Sequence, residues 1–158
     1  MKIVGFNKKN GRNFDKKRKE DKEMRDENCI FCKIANGEIP AATLYEDEDF
    51  RVILDLGPAS KGHALILPKE HYANLYELDD EVASKVLVLA KKMIRKLTDV
   101  LGCDGYNLVQ NNGEAAGQTV HHFHMHLIPR YNGDQVGLTC EPGTLTEADK
   151  EEILSKLK

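Results

Sequence analysis

The 158-residue sequence has no tryptophan, little aromatic content (6%), only four cysteines and no excess of either charge. No apolar run is long enough to cross a bilayer, and the opening MKIVGFN is too short an apolar stretch for a secretory signal, so a cytoplasmic location is expected. Thiols in a chain without an export signal usually stay reduced, which favours a metal site or no special role over disulfides for Cys29, Cys32, Cys103 and Cys140. Lys and Arg number 23 against 26 Asp and Glu, a formal net charge of −3. That balance supplies no general pull toward nucleic acid or an anionic membrane, so any bound anion must be held by a local site. No internal repeat is present. What remains is enough chain for one compact domain that buries about two-thirds of its unfolded surface.

Residues 1–28 differ in composition from the rest: after MKIVGFN they are dominated by Lys, Arg, Asp, Glu and Asn, and they read as a mobile, solvated extension. A single domain is expected over 29–158. Ile30, Phe31, Ile34 and Ile39 predict a short helix that Gly37 and Pro40 terminate. Thr43 to Tyr45, Phe50 to Leu56 and His63 to Leu67 read as three strands of an antiparallel meander. Asp79 or Asp80 caps a long helix in which Val82, Val86, Leu89, Met93, Ile94, Leu97 and Leu101 recur at helical spacing, and Gly102 stops it. Strands return at Tyr106 to Gln110 and Val120 to Ile128 around the Gly-rich loop 111–117. Thr146 and Asp149 form a capping box for a last helix. Strands and helices fall in separate blocks, so the fold class is α+β, an antiparallel sheet of about five strands with a long helix and a C-terminal helix.

Four of the six histidines lie within six residues, in Val120-His121-His122-Phe123-His124-Met125-His126. In a strand His122, His124 and His126 share one face while Phe123, Met125 and Leu127 share the other. Three readings compete: core or surface histidines, a tri-His metal site, and nucleophilic catalysis by a neutral imidazole on phosphorus. Burying three unpartnered imidazoles costs roughly 1–3 kcal/mol for each unsatisfied group, which weighs against the first. Alternate imidazoles on a strand are good zinc ligands, which keeps the second open. The neighbours favour the third, because Gln118, Thr119 and Asn111 are neutral donors suited to phosphate oxygens and the adjacent glycines allow close backbone approach. Asp55, closing an apolar strand, is an unusual acid to bury without partners. His63 reads as a structural histidine held by a backbone group.

His122-Phe123-His124-Met125-His126-Leu127-Ile128, preceded by Gly117-Gln118-Thr119-Val120 and followed by Pro129-Arg130, resembles the signature of the histidine-triad (HIT) hydrolases and transferases. Upstream, Cys29-Ile30-Phe31-Cys32-Lys33-Ile34, Glu38-Ile39-Pro40, Tyr45-Glu46-Asp47, Leu54-Asp55, Lys61-Gly62-His63 and Pro68-Lys69-Glu70-His71 extend it over about residues 29 to 131, toward the Hint-like branch. The resemblance implies a two-step reaction at the α-phosphate of a purine nucleotide conjugate such as an adenosine phosphoramidate. His124 is the implied nucleophile, with His122 and His126 supporting it. Gln118, Thr119 and Asn111 then hydrogen-bond the phosphates, Asp55 grips the ribose, and Ile30, Phe31, Ile34, Ile53, Leu56 and Leu65 form the base pocket. For those apolar residues an ordinary core role is the competing reading. No cofactor is required for the reaction, and a homodimer is expected.

Cys29-x2-Cys32 has zinc-ligand spacing but supplies only half a site. The resemblance points to His71 and His122 as the other ligands of a closed structural zinc; two plain thiols are the alternative. Two other functional readings remain: asymmetric cleavage of dinucleoside polyphosphates, and a zinc-stabilised nucleotide-binding module with little turnover. The absent tryptophan bears on the leaving group, since many Hint-like relatives carry one near the C terminus.

Overall fold

The structure is a computed structural model that describes residues 24–157. Most of the proposed N-terminal extension, residues 1–23, lies outside the described residues. Residues 24–28 lie against the body: the Met24 carbonyl accepts from His71 N–H at 2.7 Å and the Asp26 carbonyl from Cys29 N–H at 3.1 Å.

Five strands form one antiparallel sheet: β1 (Thr43–Glu46), β2 (Phe50–Leu54), β3 (Ala64–Pro68), β4 (Gly105–Val109) and β5 (Met125–Arg130), in the spatial order β1-β2-β3-β5-β4. The helices are α1 (Ile30–Ala35), α2 (Asp80–Leu101) and α3 (Glu147–Lys156). The expected α+β class is the one observed. Asp79 caps α2 by accepting from Glu81 and Val82 N–H, and Gly102 ends it in the left-handed region at φ 63°. Thr146 accepts from Asp149 N–H at the start of α3.

Strand parity sorts the core. Phe50, Val52, Ala64, Ile66, Phe123 and Leu127 pack with the buried face of α2, namely Val86, Leu89, Ala90, Met93 and Leu97. The intervening residues Ile53, Leu65 and Leu67 pack on the other face with Ala35 and, at its margin, Phe31 and Ile34 of α1. The α2 side is the larger core, and the α1 side carries the chemistry.

One strand begins later than its sequence predicts. β5 starts at Met125, paired with Ile66, so His122 and His124 lie outside the ladder. Continuing the register would set Phe123 against Pro68, which has no N–H to give. Phe123 N–H turns instead to the Tyr72 carbonyl at 2.6 Å. β2 likewise stops at Leu54, because Asp55 Oδ1 accepts from Gly57 N–H at 2.8 Å and turns the chain.

Candidate active site

His126, second in β5, lies between Leu65 of β3 and Val109 of β4, and Leu65 pairs with Ile53 of β2. One row across the α1 face therefore reads Ile53, Leu65, His126, Val109. His63 precedes β3 by one residue and shares the face of Leu65. Its Nδ1 accepts the Ala59 N–H at 3.0 Å, so the neutral ring carries its proton on Nε2, 2.9 Å from His126 Nδ1. His126 accepts there and holds its own proton on Nε2. The backbone partner expected for His63 is present, but the contact with His126 was missed. The parity of His63 with Leu65 was the signal that could have found it.

Burial lowers the pKa of both rings. His63 falls below the ordinary histidine value, with the Asp55 carboxylate opposing the fall. His126 is pushed down to about 4 by burial, then by the nearby His124 and His63 charges, again against Asp55. At neutral pH this pair is uncharged. The unfolded chain therefore binds the extra proton first: the contribution of neutral His126 is fully present above about pH 6.5 and is lost as pH falls toward 4. Going from pH 7 to pH 5 should cost the wild type roughly 1 kcal/mol more than His126→Gln, after allowance for solvent screening. Urea denaturation at the two pH values measures this, and equal losses in both proteins would mean that His126 is not held neutral.

His124 is buried, with its ring centroid 5.0 Å from that of His126. Its Nδ1 lies 2.7 Å from the His122 carbonyl oxygen. A carbonyl can only accept, so the proton sits on Nδ1 and the lone pair on Nε2. Phe31 of α1 meets the His124 ring edge-on at 5.0 Å and the His122 ring at 6.1 Å.

His122 does not join His124 and His126 on one strand face, because the chain has left the ladder at that point. Its ring is fully buried, and both nitrogens are engaged. Nε2 donates to the Pro68 carbonyl at 3.0 Å, which leaves the Nδ1 lone pair 3.5 Å from both Cys29 Sγ and Cys32 Sγ. His71 Nδ1 lies 3.3 Å from Cys32 Sγ. The four ligand atoms fall within 4.8 Å of one another. A tetrahedral zinc with bonds of about 2.3 Å to sulfur and about 2.0 Å to nitrogen sets those atoms about 3.5 Å apart, so donor types and spacing both fit. Burial pushes the Cys32 thiol up to about 11, and a coordinating cation offsets this by displacing the proton.

The remaining expected residues are placed unequally. Asp55 is half-buried, and its Oδ2 lies 3.6 Å from His63 Nε2. Gln118 is buried and braces the Gly-rich loop: Oε1 accepts from Gly113 N–H, and Nε2 donates to the Ala73 and Val120 carbonyls. Both of its amide hydrogens are thus already given to the chain. Asn111 Nδ2 reaches the Gly117 carbonyl at 3.4 Å, and Thr119 is exposed beside Gln118. Among the apolar candidates, Ile53 and Leu65 are buried and adjoin Phe31 and Ile34, whereas Ile30 is half exposed and Leu56, past the Asp55 turn, is 98% exposed. The turn that ends β2 leaves Leu56 in solvent beside Asp55.

A buried imidazole whose Nε2 carries the lone pair thus stands beside a neutral imidazole pair and an acid. The HIT domain family model matches residues 36–133. The chain belongs to the HIT family. It is 46% identical to the adenosine 5′-monophosphoramidase of Schizosaccharomyces pombe, over 82% of this chain and 98% of that protein. A crystal structure of a Streptococcus mutans protein superposes with a TM-score of 0.80 at 36% identity, covering 85% of each chain. A zinc-bound histidine-triad protein of Mycobacterium smegmatis superposes with a TM-score of 0.67 at 36% identity, covering 82% of this chain and 97% of that one.

Proposed function

We propose that this protein hydrolyses adenosine phosphoramidates and related purine nucleotide conjugates at the α-phosphate, through a nucleotidyl-His124 intermediate. The observation that carries the reading is the His122 carbonyl on His124 Nδ1, which leaves the Nε2 lone pair as the attacking group. Nε2 forms a bond to phosphorus while the bond from phosphorus to the leaving nitrogen breaks. Neutral His126, with its proton on Nε2 and His63 behind it, hydrogen-bonds the departing amine, which takes its proton from solvent. Water then attacks the phosphorus and releases a proton to solvent, the bond to Nε2 breaks, and AMP leaves. The name of the fission-yeast relative supports this substrate class. The purified chain, given adenosine phosphoramidate labelled in the adenylyl group, should release AMP and carry the label after a rapid alkaline quench, because a phosphorus–nitrogen bond to histidine is lost in acid. Release only from diadenosine tetraphosphate would move the assignment to polyphosphate cleavage, and no release from either would leave a binding module.

In this reading Cys29, Cys32, His71 and His122 hold one structural zinc, which ties α1 to the segment before β5 and touches no substrate atom. The base lies against Phe31, Ile34, Ile53 and Leu65. Four free cysteines agree with a cytoplasmic location. The exposed Leu87, Val88 and Val100 of α2 and Leu108 of edge strand β4 support a homodimer.

Asp55 grips the ribose. With one oxygen on Gly57 N–H and the other facing His63, the carboxylate is fixed at the rim of the site with lone pairs to spare. Each charge-assisted bond to a ribose hydroxyl is worth roughly 1.5–3 kcal/mol. AMP should bind about ten-fold or more tightly than 2′-deoxy-AMP, and Asp55→Asn should lose most of that preference. Competition measurements decide it; equal binding of both nucleotides by the wild type would assign Asp55 to supporting His63 alone.

A further inference from the structure

We infer that His122 is a positioning residue through which the Cys29, Cys32, His71 and His122 cluster controls the nucleophile, so that filling the cluster with zinc fixes the tautomer and aim of His124. The inference rests on the zinc and nucleophile readings above and concerns what joins them. His122 belongs to both sites at once: its ring is a member of the cluster, and its backbone carbonyl, 2.7 Å from His124 Nδ1, holds the proton that leaves Nε2 free.

The segment carrying these residues has no ladder partner; the Phe123 side chain, buried against α2, and the His122 N–H on the Val120 carbonyl at 2.9 Å fix it together with the contacts that follow. Phe123 N–H is held by the Tyr72 carbonyl at 2.6 Å, and the His122 ring is held at Nε2 by the Pro68 carbonyl and at Nδ1 by the two sulfurs. The His122 carbonyl shares one planar peptide unit with Phe123 N–H, so the Tyr72 carbonyl and the pinned His122 ring hold its direction from two sides, and the cluster supplies the second of these. Phe31 is the second link. It lies on α1 between the two cysteines and stands edge-on to both His122 and His124. Each support of the His124 ring from this side therefore leads back to the cluster.

The full chain labelled with 15N-histidine tests this by long-range proton–nitrogen spectra of the zinc-loaded and chelator-stripped protein. The expected result is one His124 tautomer with the proton on Nδ1 in the loaded form, averaged tautomers in the stripped form, and no change in His63 and His126. In parallel, His71→Ala should lose zinc and about ten-fold or more in kcat at nearly unchanged KM, because misaim costs the chemical step rather than binding. His71→Cys, which rebuilds a four-ligand set, should recover zinc, tautomer and kcat together. Should the stripped protein unfold, cadmium-loaded protein keeps the cluster filled with a larger ion; His124 nitrogen shifts should then move while those of His63 and His126 stay. Identical His124 spectra with and without metal, or with zinc and cadmium, overturn the inference. The tautomer readout needs no substrate. A failure of the phosphoramidase reading would therefore look different: normal zinc content and His124 tautomer with no AMP release.

Discussion

His124→Ala should lose roughly 10³-fold or more in turnover while keeping its fold and its affinity for AMP. The substitution removes the proposed attacking nitrogen and little of the proposed nucleotide-binding surface at Ile53, Leu65 and Phe31. Its structural cost is small in comparison: the His122 carbonyl loses its donor, worth about 1 kcal/mol, and a ring-sized space opens beside Phe31. His124→Gly should behave alike. Steady-state turnover, isothermal AMP titration and a thermal melt on the same preparation separate these effects. A variant that retains more than about a tenth of wild-type activity at saturating substrate would sink the nucleophile assignment, because loss of the group that forms the intermediate leaves only binding and electrostatic stabilisation.

Cys29→Ser should bring zinc from about one ion per chain to near none, and should lower stability by about 3 kcal/mol or more, since the free energy of binding a structural metal is part of the folding free energy. Serine is the informative replacement. Cys29 also caps α1, its sulfur accepting from Cys32 N–H at 3.4 Å, and a serine hydroxyl can take over that bond. What the variant loses is then the metal and not the helix start. Elemental analysis after purification without chelator, together with denaturation of wild type and variant, measures both parts. Chelator should bring the wild type down to the variant and leave the variant where it was. Unchanged zinc content in Cys29→Ser removes the site.

Local signals in the sequence carried most of the architecture. Asp79, Gly102 and the Thr146 and Asp149 pair act within a few residues of themselves, and the structure uses each as a helix boundary. The strand carrying the histidines depended on something farther away. Alternation from Val120 onward is a sound strand signal, yet the neighbour it would pair with ends in a proline at 68, and a proline in one strand is invisible in the pattern of another. Two further side chains have surroundings that the sequence does not show for a related reason. Gln118 has the chemistry of a phosphate ligand, but its amide is given to the Ala73 and Val120 carbonyls. Leu56 continues an apolar run, but the turn made by Asp55 sends it outward. Residue type showed which chemistry was available to each; the competing partner in the chain decided whether it was free.

The six residues of α1 set a limit on redesign. In the proposed base pocket, Phe31 and Ile34 are the natural positions at which to change the preferred base, because they pack with Ile53 and Leu65. Phe31 is also the wall against which His124 rests, and its neighbour Cys32 is a candidate metal ligand. A library that varies Phe31 for base selectivity therefore selects on reactivity at the same time. Changes confined to Ile53 and Leu65, which approach the base from the sheet, are the ones expected to alter selectivity while leaving the attacking nitrogen where it is.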